Sequence, residues 1–509
     1  MVSVLAALLA VGIALLPCQL TLQPQHRVMS ASELVGRLSS GQGVNEVGIV
    51  VEGELDLRPL GTVARPFRCR GCTFSGTIEA TDVVFQGIVD LSGATLKGAL
   101  LLAGARLDAP FLFDSTYDHR SEIHGRMDLR LVKFSDFASL DGARLLGPIN
   151  FTSAQFLRGV SFVETEFFAE AFFDRVQFGS MASFAGASTE GLRMERATFS
   201  GPAIFRQHTF HADADFTGAT FQQQANFTLA EFEGKALFDS ASFEQGASFR
   251  LMSALSASFR SAQARGPLIF DGAVFVNGAS LAGLSVLDLL SLQSMHIPTA
   301  KLELDELSAS TLLLDVSTVD QVRGVSVQQK VLSQVEKSAE ATGDLSLAND
   351  ARFHRLTLQA SHSGPAYQVF DRIVLREIGG YLVRPIHPLR AIVFVLALGV
   401  MVRAIPTWWR NTRLSLLSVA RRSTTCAPRL ASTGGSNTRA FVRGLWVSAH
   451  QVVAKQPGIE WQDDEVPSGR AVAVWSEFLA HKILIVLFLL SLGNSNPTVR
   501  QIIDSVVRG

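Results

Sequence analysis

The sequence predicts a mainly β fold, a solenoid of short extended segments, followed by an α-helical segment and two candidate transmembrane helices. Two observations carry the solenoid. Ten phenylalanines, Phe199, Phe205, Phe210, Phe216, Phe221, Phe227, Phe232, Phe238, Phe243 and Phe249, are separated alternately by six and five residues, so each has a counterpart eleven residues on. Alanine stands two residues before each of them (Ala197, Ala203, Ala214, Ala219, Ala225, Ala230, Ala236, Ala241, Ala247), except that His208 takes that place before Phe210. A helix would split such residues between two faces. In an extended segment residues two apart share a face, so each unit turns one large and one tiny side chain inward. Such units bury their apolar face only by stacking on the coils above and below.

The units ADFTGATFQQ and ANFTLAEFEG resemble the pentapeptide-repeat family, whose pattern is a small residue, a polar residue, Leu or Phe, a polar residue, then Gly or polar. The resemblance implies a right-handed four-sided β-helix with one pentapeptide per side. The sixth residue of every second unit reads as a corner insertion that lengthens the coil to about 22 residues. At about 4.8 Å between stacked strands, Phe85 to Leu281 makes a rod of roughly 40 Å.

Net charge of -1 and a pI near 6.8 give no global reason to expect nucleic acid or an acidic partner. Mean hydropathy of +0.25 has two sources, the phenylalanine ladder and apolar runs at the chain ends. The four cysteines, Cys18, Cys69, Cys72 and Cys426, are too few and too scattered for a disulfide scaffold.

In chain order, residues 1–22 read as a signal peptide or signal-anchor, with an apolar run from Val2 to Leu16. Residues 30–60 read as an N-terminal capping segment with a short helix from Ser32 to Leu38, since an uncovered terminal coil would offer unpaired edge groups. The β-helix is placed over 61–325. Leucine replaces phenylalanine in its early coils, and the rhythm lapses across the polar stretch Asp114 to Arg126, which reads as a loop or bulged coil. Single-residue slips follow at 185–198 and 250–269. Leu287, Leu292, Ile297, Leu302, Leu307 and Leu312, five apart, read as the filling of the last coils.

Residues 326–385 read as a helical cap or connector, with helices through Val331 to Ala339, Leu345 to Gln359 and Tyr367 to Tyr381. Residues 386–509 read as a membrane region with spans at 388–405 and 471–493. Between them, residues 403–459 carry nine Arg or Lys and no acidic residue, which places that loop in the cytoplasm and the solenoid outside. Thr342-Gly-Asp344, Gly380-Tyr-Leu-Val-Arg-Pro385 and Ser495-Asn-Pro-Thr-Val-Arg-Gln501 resemble the tail of bacterial membrane-anchored pentapeptide-repeat proteins, some of which have been likened to two-helix ion-channel modules.

Several residues invite chemistry, each against a plainer reading. Cys69-Arg-Gly-Cys72 has redox or metal spacing, but no second ligand pair follows, and Cys72 occupies the small inward position before Phe74, so core filling or a local disulfide is the expectation. His208 and His211 flank Phe210 and read as a solvated bulge or a satisfied core group. His119 and His124 lie beside Asp118 and Glu122 in the interrupting loop, where a solvated polar loop is the simpler account. Glu477, His481 and Lys482 sit within or at the edge of the second candidate span. The sequons Asn150-Phe-Thr152 and Asn226-Phe-Thr228 are what the repeat generates by itself. No catalytic, cofactor-binding or metal residue is assigned. The expected function is a non-enzymatic, membrane-tethered scaffold whose partners are the lipid bilayer and a protein or envelope component, not nucleic acid. The alternatives are an ion-channel-like or transport module and a DNA-mimicking gyrase-binding protein.

Overall fold

The structure is a computed structural model that describes residues 27–299, 301–398 and 468–495. The apolar run of residues 1–22 and the basic segment 403–459 lie outside the described residues. The chain forms a parallel β-solenoid of about 13 turns followed by helices. It divides into two compact units, Met1–Asp288 and Leu289–Gly509.

Within the first unit most coils contribute four two-residue strands, and longer strands such as Glu231–Leu237 run through two sides. Thr73–Phe74, Ile78–Glu79, Val84–Phe85 and Val89–Asp90 make one coil, and the next strand, Thr95–Leu96, returns to lie parallel to the first. The strands collect into two parallel sheets, two sides of the coil in each. Register repeats by 22 residues, as in Thr73↔Thr95 and Phe199↔Phe221. The two sequence slips are coils of 21, as in Phe178↔Phe199 and Ser242↔Gln263. An early coil steps by 23, as in Val50↔Thr73, and the polar stretch makes the longest step, 27, as in Thr95↔Glu122, so it inserts five extra residues.

Side chains stack in columns along the coil. Phe184, Phe205, Phe227, Phe249 and Phe270 lie with successive ring centroids 4.8, 4.8, 5.1 and 4.8 Å apart and nearly parallel planes. That spacing is set by the strands that carry them. Rings of neighbouring columns meet edge to face, as Phe205 does Phe216 at 5.3 Å, so adjacent sides lock together. The early coils hold Leu91, Leu96, Leu102 and Leu107 in these positions, all buried.

Corners alternate between two designs. The five-residue steps pass a β-turn whose third residue has a left-handed φ, such as Asp82 (φ 57), with Val83 N–H donating to Ala80 C=O at 3.2 Å. The six-residue steps pass a corner that is often glycine. A Cβ at Gly98 would fall on the backbone of Gly76, and one at Gly125 on that of Gly98, so the coils approach here as only glycine allows. At the amino end the helix Ala31–Ser39, capped by the Ser30 hydroxyl accepting from Glu33 N–H, buries Ala31 and Leu34.

From Ser285 onward the chain departs from expectation in three places. Leu287, assigned to the core in the strand Ser285–Leu292, is 65% exposed, while Val286, Leu290 and Leu292 are buried. Leucines stand at both parities in this run, so spacing alone does not choose the inward set. The helices Val325–Thr342 and Leu345–Ser361 form as expected, but the third is broken into Pro365–Phe370, a π-helical stretch Asp371–Ile378 and a 3-10 turn Gly380–Leu382.

The third departure concerns the candidate spans. Among the described residues no helix is long and apolar enough to cross a membrane. Of 388–405, only residues up to 398 belong to a described helix, 386–398. The span at 471–493 lies in the helix Ser468–Ser495, where His481, Lys482 and Ser491 interrupt the apolar sequence. Its unbroken run from Ile483 to Leu490 covers about 12 Å at about 1.5 Å per residue, against about 30 Å of hydrocarbon.

Candidate functional site

Cys69 and Cys72 form a disulfide across the corner made by Arg70 and Gly71, and both are fully buried. Arg70 reaches the next coil, where Nε donates to Asp90 Oδ2 at 2.6 Å. Burial pushes the Asp90 carboxyl up, but the Ser92 hydroxyl and the Arg70 guanidinium together outweigh it and hold the group below its ordinary range. The five-residue insertion folds back over this corner. His119 lies where a side chain on Gly71 or Gly93 would be, and Ser121 accepts from Gly93 N–H at 2.8 Å while donating to Asp114 C=O at 2.7 Å. The loop is narrower than its polar sequence, because Glu122–Ile123 is already back in the sheet. Its tip, Tyr117, is fully exposed.

Beyond the loop the charges pair along one side of the coil. Arg144 bridges Glu122 at 2.9 Å and Glu166 at 3.2 Å, Arg120 adds a second bond to Glu166 at 2.9 Å, and the Arg144 guanidinium lies 5.0 Å above the Phe168 ring. His124 approaches Glu122 at 3.7 Å, whereas His119 sits over the disulfide corner, so the loop does not bring its two histidines together. Among the described residues no group of three or more His, Cys, Asp or Glu is placed to hold a metal ion.

His208 is completely buried. Its Nδ1 donates to Phe184 C=O at 3.1 Å, leaving Nε2 to accept from the Thr189 hydroxyl at 3.2 Å. Burial pushes its pKa down to about 3, so the ring is neutral. The neighbouring His211 faces outward and meets Glu233 at 3.2 Å. The sequon asparagines serve the corners: Asn150 and Asn226 accept from Thr152 and Thr228 N–H at 2.8 and 3.0 Å.

In the second unit the strained Tyr381 (φ 49) donates its hydroxyl to the buried Asp371 at 2.7 Å. Burial and the nearby carboxylate push that phenol up to about 12. Arg384 lies 4.0 Å over the Phe353 ring and pairs with Asp350 at 2.7 Å. Sequence reasoning missed this cluster, whose one signal is the Gly379-Gly380 pair before the tyrosine. In the helix Ser468–Ser495, His481 is buried and Lys482 Nζ lies 5.4 Å over the Phe478 ring.

Among the described residues these features are surfaces and buried structural pairs, and the coil is compatible with the pentapeptide-repeat fold. No protein-family model, curated protein or solved structure matches the chain.

Proposed function

We propose that the chain is a membrane-tethered scaffold of the pentapeptide-repeat type, without catalytic activity, that holds a rigid four-sided surface outside the cytoplasm for an envelope or protein partner. One observation carries the tether. In the helix Ser468–Ser495, His481 and Ser491 are fully buried together with Leu484, while Leu479, Ile483, Val486 and Leu490 are 59, 51, 55 and 46% exposed. Water would reverse that arrangement. In hydrocarbon leucine gains nothing by burial and polar groups turn to the protein, so the pattern suits lipid. Ile386, Leu389, Val393, Phe394 and Leu398 in the helix 386–398 are likewise exposed. The basic segment 403–459 supports a cytoplasmic position next to anionic lipid.

Rigidity supports the scaffold half of the reading, because a preformed surface loses little entropy on binding. The inward-facing His481 and Ser491 favour a second reading, an ion-conducting module, for which conductance in a reconstituted bilayer is the direct check. DNA mimicry finds less support, since Arg206, Lys235 and Arg250 interrupt the acidic positions. Cell fractionation with protease treatment of intact cells tests the proposal. The chain is expected in the membrane fraction, released only by detergent, with the solenoid reached by external protease. Release into the soluble fraction without detergent rejects the tether.

A further inference from the structure

The solenoid is sided. In the coils between Gln177 and Ser248, the two sides in one sheet carry Glu190, Arg193, Asp215, Glu231, Glu233 and Lys235 on or beside their strands. The two sides in the other sheet carry a single charged residue, Glu244, which is paired with Arg265 at 2.7 Å. Charge returns only at the bounding turns, with Glu195, Arg196, Arg206 and Asp239. In place of charge there is an in-register column of amides and hydroxyls, Gln177, Thr198, Thr220 and Ser242, which Gln155 continues into a coil where the exposed Arg158 lies 3.9 Å from Asp136.

From this we infer that the uncharged half of the rod binds a neutral polysaccharide lying along the column. A carboxamide both donates and accepts, as does a hydroxyl, and these are the groups that a sugar hydroxyl needs. The side chains of Gln155, Gln177, Thr198, Thr220 and Gln222 make no hydrogen bond within the described chain, so their capacity is available to a ligand. A step of about 4.8 Å offers the same pair of functions again on every coil, over about 19 Å from Gln155 to Ser242, which suits a polymer of repeating units better than a compact molecule.

At one end of the column Phe137, Leu157 and Met181 are 37, 47 and 43% exposed. Gly159 stands between Phe137 and Met181, and a Cβ there would lie 3.4 Å from the Phe137 ring, so the glycine leaves an apolar ledge for the C–H face of a sugar. Beyond the Arg158–Asp136 pair beside this ledge, the scarcity of charge from Gln177 to Ser248 disfavours nucleic acid, anionic lipid and charged peptides, all of which need counter-charges. This inference names the partner of the proposed scaffold and does not depend on its tether.

The test uses the full chain in detergent, with dextran in affinity electrophoresis and amorphous cellulose in co-sedimentation as neutral probes, and heparin as the polyanion. Thr198→Lys and Thr220→Lys place a charge on the column, and Thr209→Lys places one on the charged half. Matching thermal midpoints show that all three fold. The expected result is retention by at least one neutral polymer, weakened about tenfold or more by either column substitution, unchanged within twofold by Thr209→Lys, and no preference for heparin. Absence of binding to both neutral polymers, preference for heparin, or equal loss in Thr209→Lys overturns the inference. So does a dimer that the column substitutions dissociate, since that face would then be a contact between copies. Membrane fractionation is read separately, so the tether and the glycan site fail independently.

Discussion

The ladder's one polar intrusion is a matched exchange. Thr189 stands in register between Phe167 and Phe210, where the column calls for a ring, and leaves space that the His208 imidazole fills from the small-residue position, stacked 4.0 Å from Phe210. His208→Ala alone empties a buried site and leaves the Thr189 hydroxyl unpaired, so a loss of about 2–4 kcal/mol is expected in chemical denaturation. Thr189→Phe alone forces two rings into one place and is destabilising as well. The double substitution restores the ladder, and its measured stability should lie close to that of the parent.

Titration gives a second check at this residue. Above pH 6.5 the ring is neutral folded or unfolded and the term is zero. As pH falls below 6.5 the unfolded chain takes a proton that the folded chain refuses until about pH 3, so folding loses about 1.4 kcal/mol per pH unit over that window. Unfolding midpoints measured from pH 7 to pH 4 should therefore fall more steeply in the parent than in the double variant. His208 is visible in the sequence as the exception to the alanine rule, but its partner is not. The one-residue slip at 185–198 hides which residue shares its coil, and only the closed register pairs the two.

Among the elements, the corners and the loop separate what spacing conveys from what it does not. The eleven-residue rhythm identifies the coil, its two slips and its interruption, because each inward position is tied to a strand. It does not say that the interruption folds back over Gly71 and Gly93, or that Glu122–Ile123 already belongs to the sheet, since those depend on packing between coils. Removing Thr116 to Arg120 should return that coil to the common step of 22, at the cost of the Arg120–Glu166 pair and the His119 cover. Stability within about 1 kcal/mol of the parent is expected in denaturant titration, because exposed ion pairs and surface loops contribute little. A loss of several kcal/mol would mean that the loop is part of the folding core. The same reasoning accounts for the third C-terminal helix. Its apolar stripe is legible, but the shift to π geometry accompanies the burial of Asp371 against Tyr381, a tertiary contact with no periodic trace.

At the scale of the whole molecule, a β-solenoid was legible because its core is one-dimensional, each coil meeting only its neighbours, so a repeat in sequence is a repeat in space. The candidate spans were less so. Hydropathy marks Ile483 to Leu490 as apolar, but only burial reveals that Ile483, Val486, Leu489 and Leu490 face out while Leu484 faces in with His481 and Ser491. The sidedness of charge was also invisible while the strands had not been assigned to sheets.

Everything rests on strands stacking once per coil with residues in register, and spin-label distances within the first unit test that directly. With one label at Val84 and the other at Gln177, Thr198, Thr220 or Ser242, the partners are four, five, six and seven coils away along one column. The expected separations are about 19, 24, 29 and 34 Å, rising by about 4.8 Å per coil. Distances that stay flat, or rise and fall along this series, would contradict the stacked coil.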